Sequence, residues 1–284
     1  MKESKKEFKV KDLMNKKPVF AEIPGSREEV LRIFGKYEVS SVPVVKAGTK
    51  KFIGMITRNR IFENPEEQQL ALLIDKNPVV LSPDANIKKA AKIFYERRIH
   101  GIPVVRKDEL VGMISPPDLL ILLKEKTDRV DKYLSPLCVP LYQETPLPAV
   151  MKIFRITNAP ALPVVDDNGE LVGIVADGDL FTFSHLQESV KKSDLGIGED
   201  EDMWTWEGIR DVMRLYYETS KIQLPSVPVK EVMVKKVITA YIKSKISDAA
   251  KKMLEHRIDQ LPVINENDEL VGMLYDVDLM SSLI

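Results

Sequence analysis

Two periods of apolar residues alternate along the chain. Ile87, Ala90, Ala91 and Phe94 recur at helical spacing, as do Ile246, Ala249, Ala250, Met253 and Leu254, so each set predicts a helix with one buried face. Start signals agree: Ser26 with Glu29 can form a capping box, Thr145 precedes Pro146 at a first helical position, and Ser244 can cap the last helix. A short apolar run precedes each helix, such as PVVLS at 78–82 and KVITA at 236–240, and reads as a strand. After each helix come two further strands, separated by turn residues such as Asp166-Asp167-Asn168-Gly169 and Asn265-Glu266-Asn267-Asp268. Proline inside the first of these strands predicts a position near a sheet edge, where its missing N–H does no harm. A final helix is plainest in DLLILLKEK from Asp118.

These elements repeat. Pro-Val anchors stand at VPVV from Val42, IPVV from Ile102, LPVV from Leu162 and LPVI from Leu261, each followed at nearly fixed distance by Gly54, Gly112, Gly173 or Gly272. ELVGMISPPDLL at 109–120 and ELVGMLYDVDLM at 269–280 are almost one text, with ELVGIVADGDLF at 170–181 a third copy and KFIGMITRNRIF at 51–62 a degenerate fourth. Each unit therefore reads strand, helix, strand, strand, helix, an α/β (α+β) repeat. The units span 8–66, 67–126, 127–183 and 225–284, with a helical insert at 184–224 that carries GEDED and WTWEGIRDVMRLYYE. The last helix of a unit is apolar nearly all round, so a lone unit would expose it. Pairing follows, first unit with second and third with fourth, with the break near Thr127-Asp128-Arg129.

Charge excludes more than it suggests. With 42 basic and 43 acidic residues the net charge is −1, so no global field draws in nucleic acid or anionic lipid. The single cysteine, Cys138, forms no internal disulfide and reads as a core thiol. The N-terminus is charged and no window has the length of a membrane span, which predicts a cytoplasmic protein. Usage of Lys and Glu over Gln leans towards a thermophile.

Four units of h-P-V-(V/I), then E-L-V-G-h-h, then x-x-x-D-L, resemble cystathionine beta-synthase (CBS) domains in two tandem pairs. Four such units and little else are similar to the gamma regulatory subunit of AMP-activated protein kinase and to stand-alone archaeal relatives. The resemblance implies paired units stacked into a disk, with clefts that bind adenine nucleotides (AMP, ADP or ATP) or other adenosyl compounds. It also implies a regulatory or energy-sensing role towards an unidentified effector protein, and a possible homodimer of disks.

In that family a hydroxyl and an aspartate, (S/T)-x-x-D, sit where the last strand turns into the second helix, and the carboxylate grips the ribose diol. Ser115 and Asp118 match in full. Asp179 and Asp278 keep the acid without the hydroxyl, and the first copy has Thr57 with Arg60 in place of the acid. A capping pair at a helix start is the plain alternative. The family often carries His or Arg just before h-P-V to meet phosphate, and Arg98 and His100 match; the fourth copy has Asp259 and Gln260 there, the third Pro160 and Ala161. Asp177 and Asp276 would repel a phosphate, so Asp179 and Asp278 suit an uncharged or cationic tail, as in methylthioadenosine or S-adenosylmethionine. Alternatively a basic residue of another unit, Arg58 or Arg60, supplies the cation. Three scattered histidines have no metal-binding spacing, and no P-loop, G-x-S-x-G or H-E-x-x-H occurs, so neither a metal nor an enzyme activity is expected. A scaffold or nucleic-acid binder with vestigial clefts is the alternative from another class.

Overall fold

The computed structural model describes residues 7–37, 39–57, 60, 64, 67, 69–157, 159–176, 179–180 and 226–284. The insert at 184–224, Arg58 and Asp177 lie outside them. Each copy contributes an eleven-residue helix: α1 (Arg27–Tyr37), α2 (Ile87–Arg97), α4 (Leu147–Thr157) and α5 (Ile246–His256). The second and fourth copies add short corner helices, α3 (Pro116–Leu120) and α6 (Asp276–Leu279), each continued by a 3-10 turn, Ile121–Leu123 and Met280–Leu283. DLLILLKEK is thus a single helical turn that tightens into 3-10 geometry, as short helix ends often do.

Strands β1 (Ala21–Ile23), β2 (Ser41–Lys46) and β3 (Phe52–Thr57) form the first sheet in that order, β1 parallel and β3 antiparallel to β2. The second copy has the antiparallel pair β4 (Ile102–Arg106) and β5 (Glu109–Ile114). The strand expected in PVVLS shrinks there to one parallel bridge, Leu81 to Val104. The third copy repeats the first with β6 (Leu141–Tyr142), β7 (Ala161–Val165) and β8 (Leu171–Ala176), and the fourth has β9 (Ala240–Tyr241), β10 (Gln260–Ile264) and β11 (Leu270–Tyr275). The Pro-Val strand is the middle one of each three-stranded sheet, not an edge. Its proline is tolerated because the first strand is so short: β1 meets only Val44, Val45 and Lys46, so Pro43 lies past its end, and Pro163 and Pro262 likewise precede the registers at Val164 and Val263.

Local signals are met unevenly. Ser26 and Glu29 exchange backbone bonds at 3.1 and 3.2 Å, a reciprocal cap on α1. Ser244 does not cap α5; Lys245 occupies that place, and the Ser244 hydroxyl donates to the Tyr241 carbonyl at 2.6 Å. Pro146 stands one residue before α4, and its carbonyl accepts from Ala149 and Val150.

The glycine of E-L-V-G has a packing role. Asn15, in the lead-in to the first copy, bonds Met113 of the second, and Asp75, in the lead-in to the second, bonds Met55 of the first. The third and fourth copies repeat the exchange, Ser135 bonding Met273 and Val234 bonding Ile174. Each lead-in crosses its partner's strand beside the glycine. A Cβ on Gly54 would lie 2.2 Å from the Asp75 carbonyl oxygen, on Gly112 2.7 Å from Met14 Sδ, and on Gly173 2.3 Å from Met233 Sδ; on Gly272 it would meet Leu134 at an ordinary 3.5 Å.

Compact units cut across the repeats. One comprises Met1–Tyr133, Lys245–Asp259 and Tyr275–Ile284; the other comprises Leu134–Ser244 and Gln260–Leu274. The strand exchanges follow the expected pairing of first with second and third with fourth, but the fourth copy's helices belong with the second copy's. The apolar α3 explains why: Leu119, Leu120 and Leu123 are fully buried, and α3 and its 3-10 turn pack on α5 and α6. In the other unit Leu141, Leu147, Val150, Phe154, Val164, Val175 and Val229 form the core, and Cys138 is half-buried.

Candidate functional site

The corner after β5 is built from its own residues. Ser115 is the extended N-cap of α3 with Pro116 at the first helical position. Asp118 Oδ2 accepts from the Ser115 backbone N–H at 2.7 Å and from the Ser115 hydroxyl at 2.8 Å. Both bonds fall on Oδ2; Oδ1 takes neither. Burial pushes the Asp118 carboxyl up, and the two Ser115 bonds oppose that shift.

The corner after β11 has the same turn and a different fate. Asp278 Oδ2 accepts from the Tyr275 N–H at 3.1 Å, but Oδ1 takes the Arg98 guanidinium at 2.7 Å. Arg98 also lies over the Tyr275 ring, 5.6 Å from its centroid. Tyr275, where the second copy has Ser115, is 1% exposed, and Asp278 4%. Asp276 is buried beside them: Oδ1 accepts from the Val277 N–H at 2.6 Å, and Oδ2 has no hydrogen-bond partner. Burial first, then Asp259, lifts its carboxyl well above the usual range; Asp278 adds to this, while the Val277 N–H and Arg98 oppose it. His100 Nδ1 stands 3.9 Å from Asp276 Oδ1. The repulsion assigned to Asp276 is therefore small where the group is protonated.

Arg98 and His100, expected to serve the second copy's ligand, thus reach the fourth copy's corner, and α3 and α6 pack on one another so that the two corners adjoin. Asp179 belongs to the other unit, where Oδ2 accepts from the Ala176 N–H at 2.7 Å. Arg60 is exposed and its N–H donates to Thr57 Oγ1 at 3.2 Å. All three aspartates accept the N–H three residues earlier, so the acid closes the turn whether or not a hydroxyl accompanies it. Loss of the hydroxyl in the third and fourth copies therefore does not separate capping from ligand binding. The second oxygen does. Tyr275 and Arg98 as occupants of the fourth corner were not foreseen; an arginine five residues before the Pro-Val proline, in the second and fourth copies alone, was the available signal.

Among the described residues no group of His, Cys, Asp and Glu could hold a metal, and no helix is long and apolar enough to cross a membrane. The pattern of the CBS domain matches residues 10–67, 71–125, 132–185 and 229–284. The uncharacterised protein MJ1225 of Methanocaldococcus jannaschii is 24% identical over 296 residues, covering 95% of this chain and 97% of that one. Its crystal structure, described as that of a suggested archaeal homologue of g-AMPK, matches with a TM-score of 0.73 at 23% identity over 98% of this chain and all of the other. An uncharacterised conserved protein from Pyrococcus horikoshii matches with a TM-score of 0.67 at 27% identity, again over 98% and 100%. The chain belongs to the CBS domain family, with four copies of the domain.

Proposed function

We propose that this protein binds adenine nucleotides, AMP, ADP or ATP, at the Ser115–Asp118 corner and acts as a regulatory sensor. The observation that carries the reading is the division of labour on one carboxylate: Oδ2 of Asp118 is committed to the turn, and Oδ1 remains for a ligand on a half-buried side chain. Vicinal hydroxyls of a ribose donate to such an oxygen, and partial burial strengthens the charge-assisted bond. The start of α3 adds no phosphate site of its own, because Pro116 and Pro117 remove two of its N–H groups. Regulation follows if the nucleotide has different affinities for two states of the protein or of its complex with an effector.

Calorimetric titration with AMP, ADP, ATP, adenosine, S-adenosylmethionine and methylthioadenosine tests the reading. Adenosyl compounds with a free 2′,3′-diol bind, and Asp118→Ala weakens them about 10- to 100-fold, the loss of a hydrogen bond to a charged group. Deoxyribose analogues bind the native protein as weakly as ribose compounds bind the variant. Binding of S-adenosylmethionine in preference to AMP would favour the uncharged or cationic tail reading. No heat with any compound would discard the sensor and leave the scaffold.

A further inference from the structure

The second and fourth copies are related within their shared unit by an exchange of helix ends. Helix α2 packs on α6 and the 3-10 turn Met280–Leu283, while α5 packs on α3 and the 3-10 turn Ile121–Leu123. Each eleven-residue helix therefore ends against the other copy's corner. Both end alike, with an arginine in the left-handed region: Arg98 at φ 49° and Arg257 at φ 54°, their N–H groups closing the last turn on the Phe94 and Met253 carbonyls. Glycine suits that position and arginine is strained there. The corresponding residues of the first and third copies are Glu38 and Asn158, so the arginine stands only in the two copies whose helices are exchanged. What Arg98 does from that place is on view: it reaches Asp278 at 2.7 Å.

The geometry points to Arg257 as the residue that selects the charge of the ligand at Asp118. Its helix is packed on the Asp118 corner as the Arg98 helix is packed on the Asp278 corner, and its side chain is exposed. Arg98 is consumed by Asp278, and Arg257 is the equivalent cation at the corner whose Oδ1 stays open. A nucleoside held by its diol on Asp118 would present its 5′ substituent to this guanidinium, so the site prefers a phosphate over an uncharged 5′ group. The second copy would supply the diol contact and the fourth the charge contact, making one site of two half-sites distant in sequence. This inference rests on the nucleotide reading above and adds the residue that makes the ligand an anion.

The test compares AMP with adenosine by calorimetry on the full chain and on Arg257→Gly and Arg257→Lys. Glycine at a left-handed position relieves backbone strain, so Arg257→Gly keeps or raises the melting temperature, and lost binding is not misfolding. The expected result is AMP weakened about tenfold or more in Arg257→Gly, adenosine unchanged within twofold, and Arg257→Lys retaining most of the AMP preference. Equal weakening of both ligands, or unchanged AMP affinity, overturns the inference while the nucleotide reading stands. Failure of the native protein to bind either compound overturns both, and is seen before any variant is made.

Discussion

At the scale of single residues, Asp276 gives the fold a dependence on pH. A carboxyl whose folded pKa is raised contributes stability that is complete below its unfolded value, near 3.8, and lost as pH rises through the folded value. Asp276→Asn removes this term while still accepting from the Val277 N–H. Its stability is therefore flatter than the native protein's from pH 4 upward, and it becomes the more stable of the two as pH increases; urea unfolding across pH 4 to 8 reads the difference. Arg98→Ala acts on the same cluster with the opposite sign. It leaves Asp278, 5% exposed in its side chain, without its cation, and costs roughly 1–2 kcal/mol, less than a dry ion pair because the guanidinium is 39% exposed. A midpoint unchanged in urea would show that the pair is only superficial. The aspartates at the corners were legible in the sequence because they recur. Their unlike fates were not, since whether Oδ1 is open depends on an arginine 180 positions away.

Elements are where the repeat explains itself. The second glycine-bearing strand of each copy is crossed by its partner's lead-in, so a side chain at the glycine collides with backbone or thioether. Gly54→Ala, facing the Asp75 carbonyl at 2.2 Å, is expected to destabilise by about 2–4 kcal/mol, in the range of overpacked or backbone-displacing substitutions. Gly272→Ala, with 3.5 Å to Leu134, costs less than about 1 kcal/mol or is neutral. Thermal melts of the two variants check the order, and comparable losses would contradict the account. Helices and hairpins were readable because apolar periodicity and turn residues are local. Two readings failed for reasons that lie across the chain. PVVLS is reduced to a bridge at Leu81, and the Pro-Val strand is central, because a neighbour only three residues long never reaches the proline. The E-L-V-G glycine stood out as a marker of the repeat, while its cause, a partner segment passing overhead, is invisible in one dimension.

For the whole molecule, the division into compact units determines which pieces stand alone. Residues 1–133 hold the first two copies, yet Leu119, Leu120 and Leu123 are covered by segments from 245–259 and 275–284. The C-terminus also ties back through Lys126 Nζ to the Ser282 carbonyl at 2.7 Å. Expressed by itself, 1–133 should bind a hydrophobic dye and self-associate, since three large side chains each lose on the order of 1.5–3 kcal/mol of burial. A monomeric fragment that melts cooperatively near the temperature of the full chain would refute this. Composition and repeats showed that copies pair; which helices of which copy share a core could not be read from them, because every copy carries nearly the same apolar text.

The crossed lead-ins also bear on how such a chain can lengthen or shorten. Deleting one copy would strand its partner's entry segment with no strand to lie across, and would bare the glycine groove that segment had filled. Both members would be left with broken hydrogen bonding. Gains and losses of repeats in a protein wired this way must therefore come in twos, and the duplicable cassette is the couple rather than the single domain.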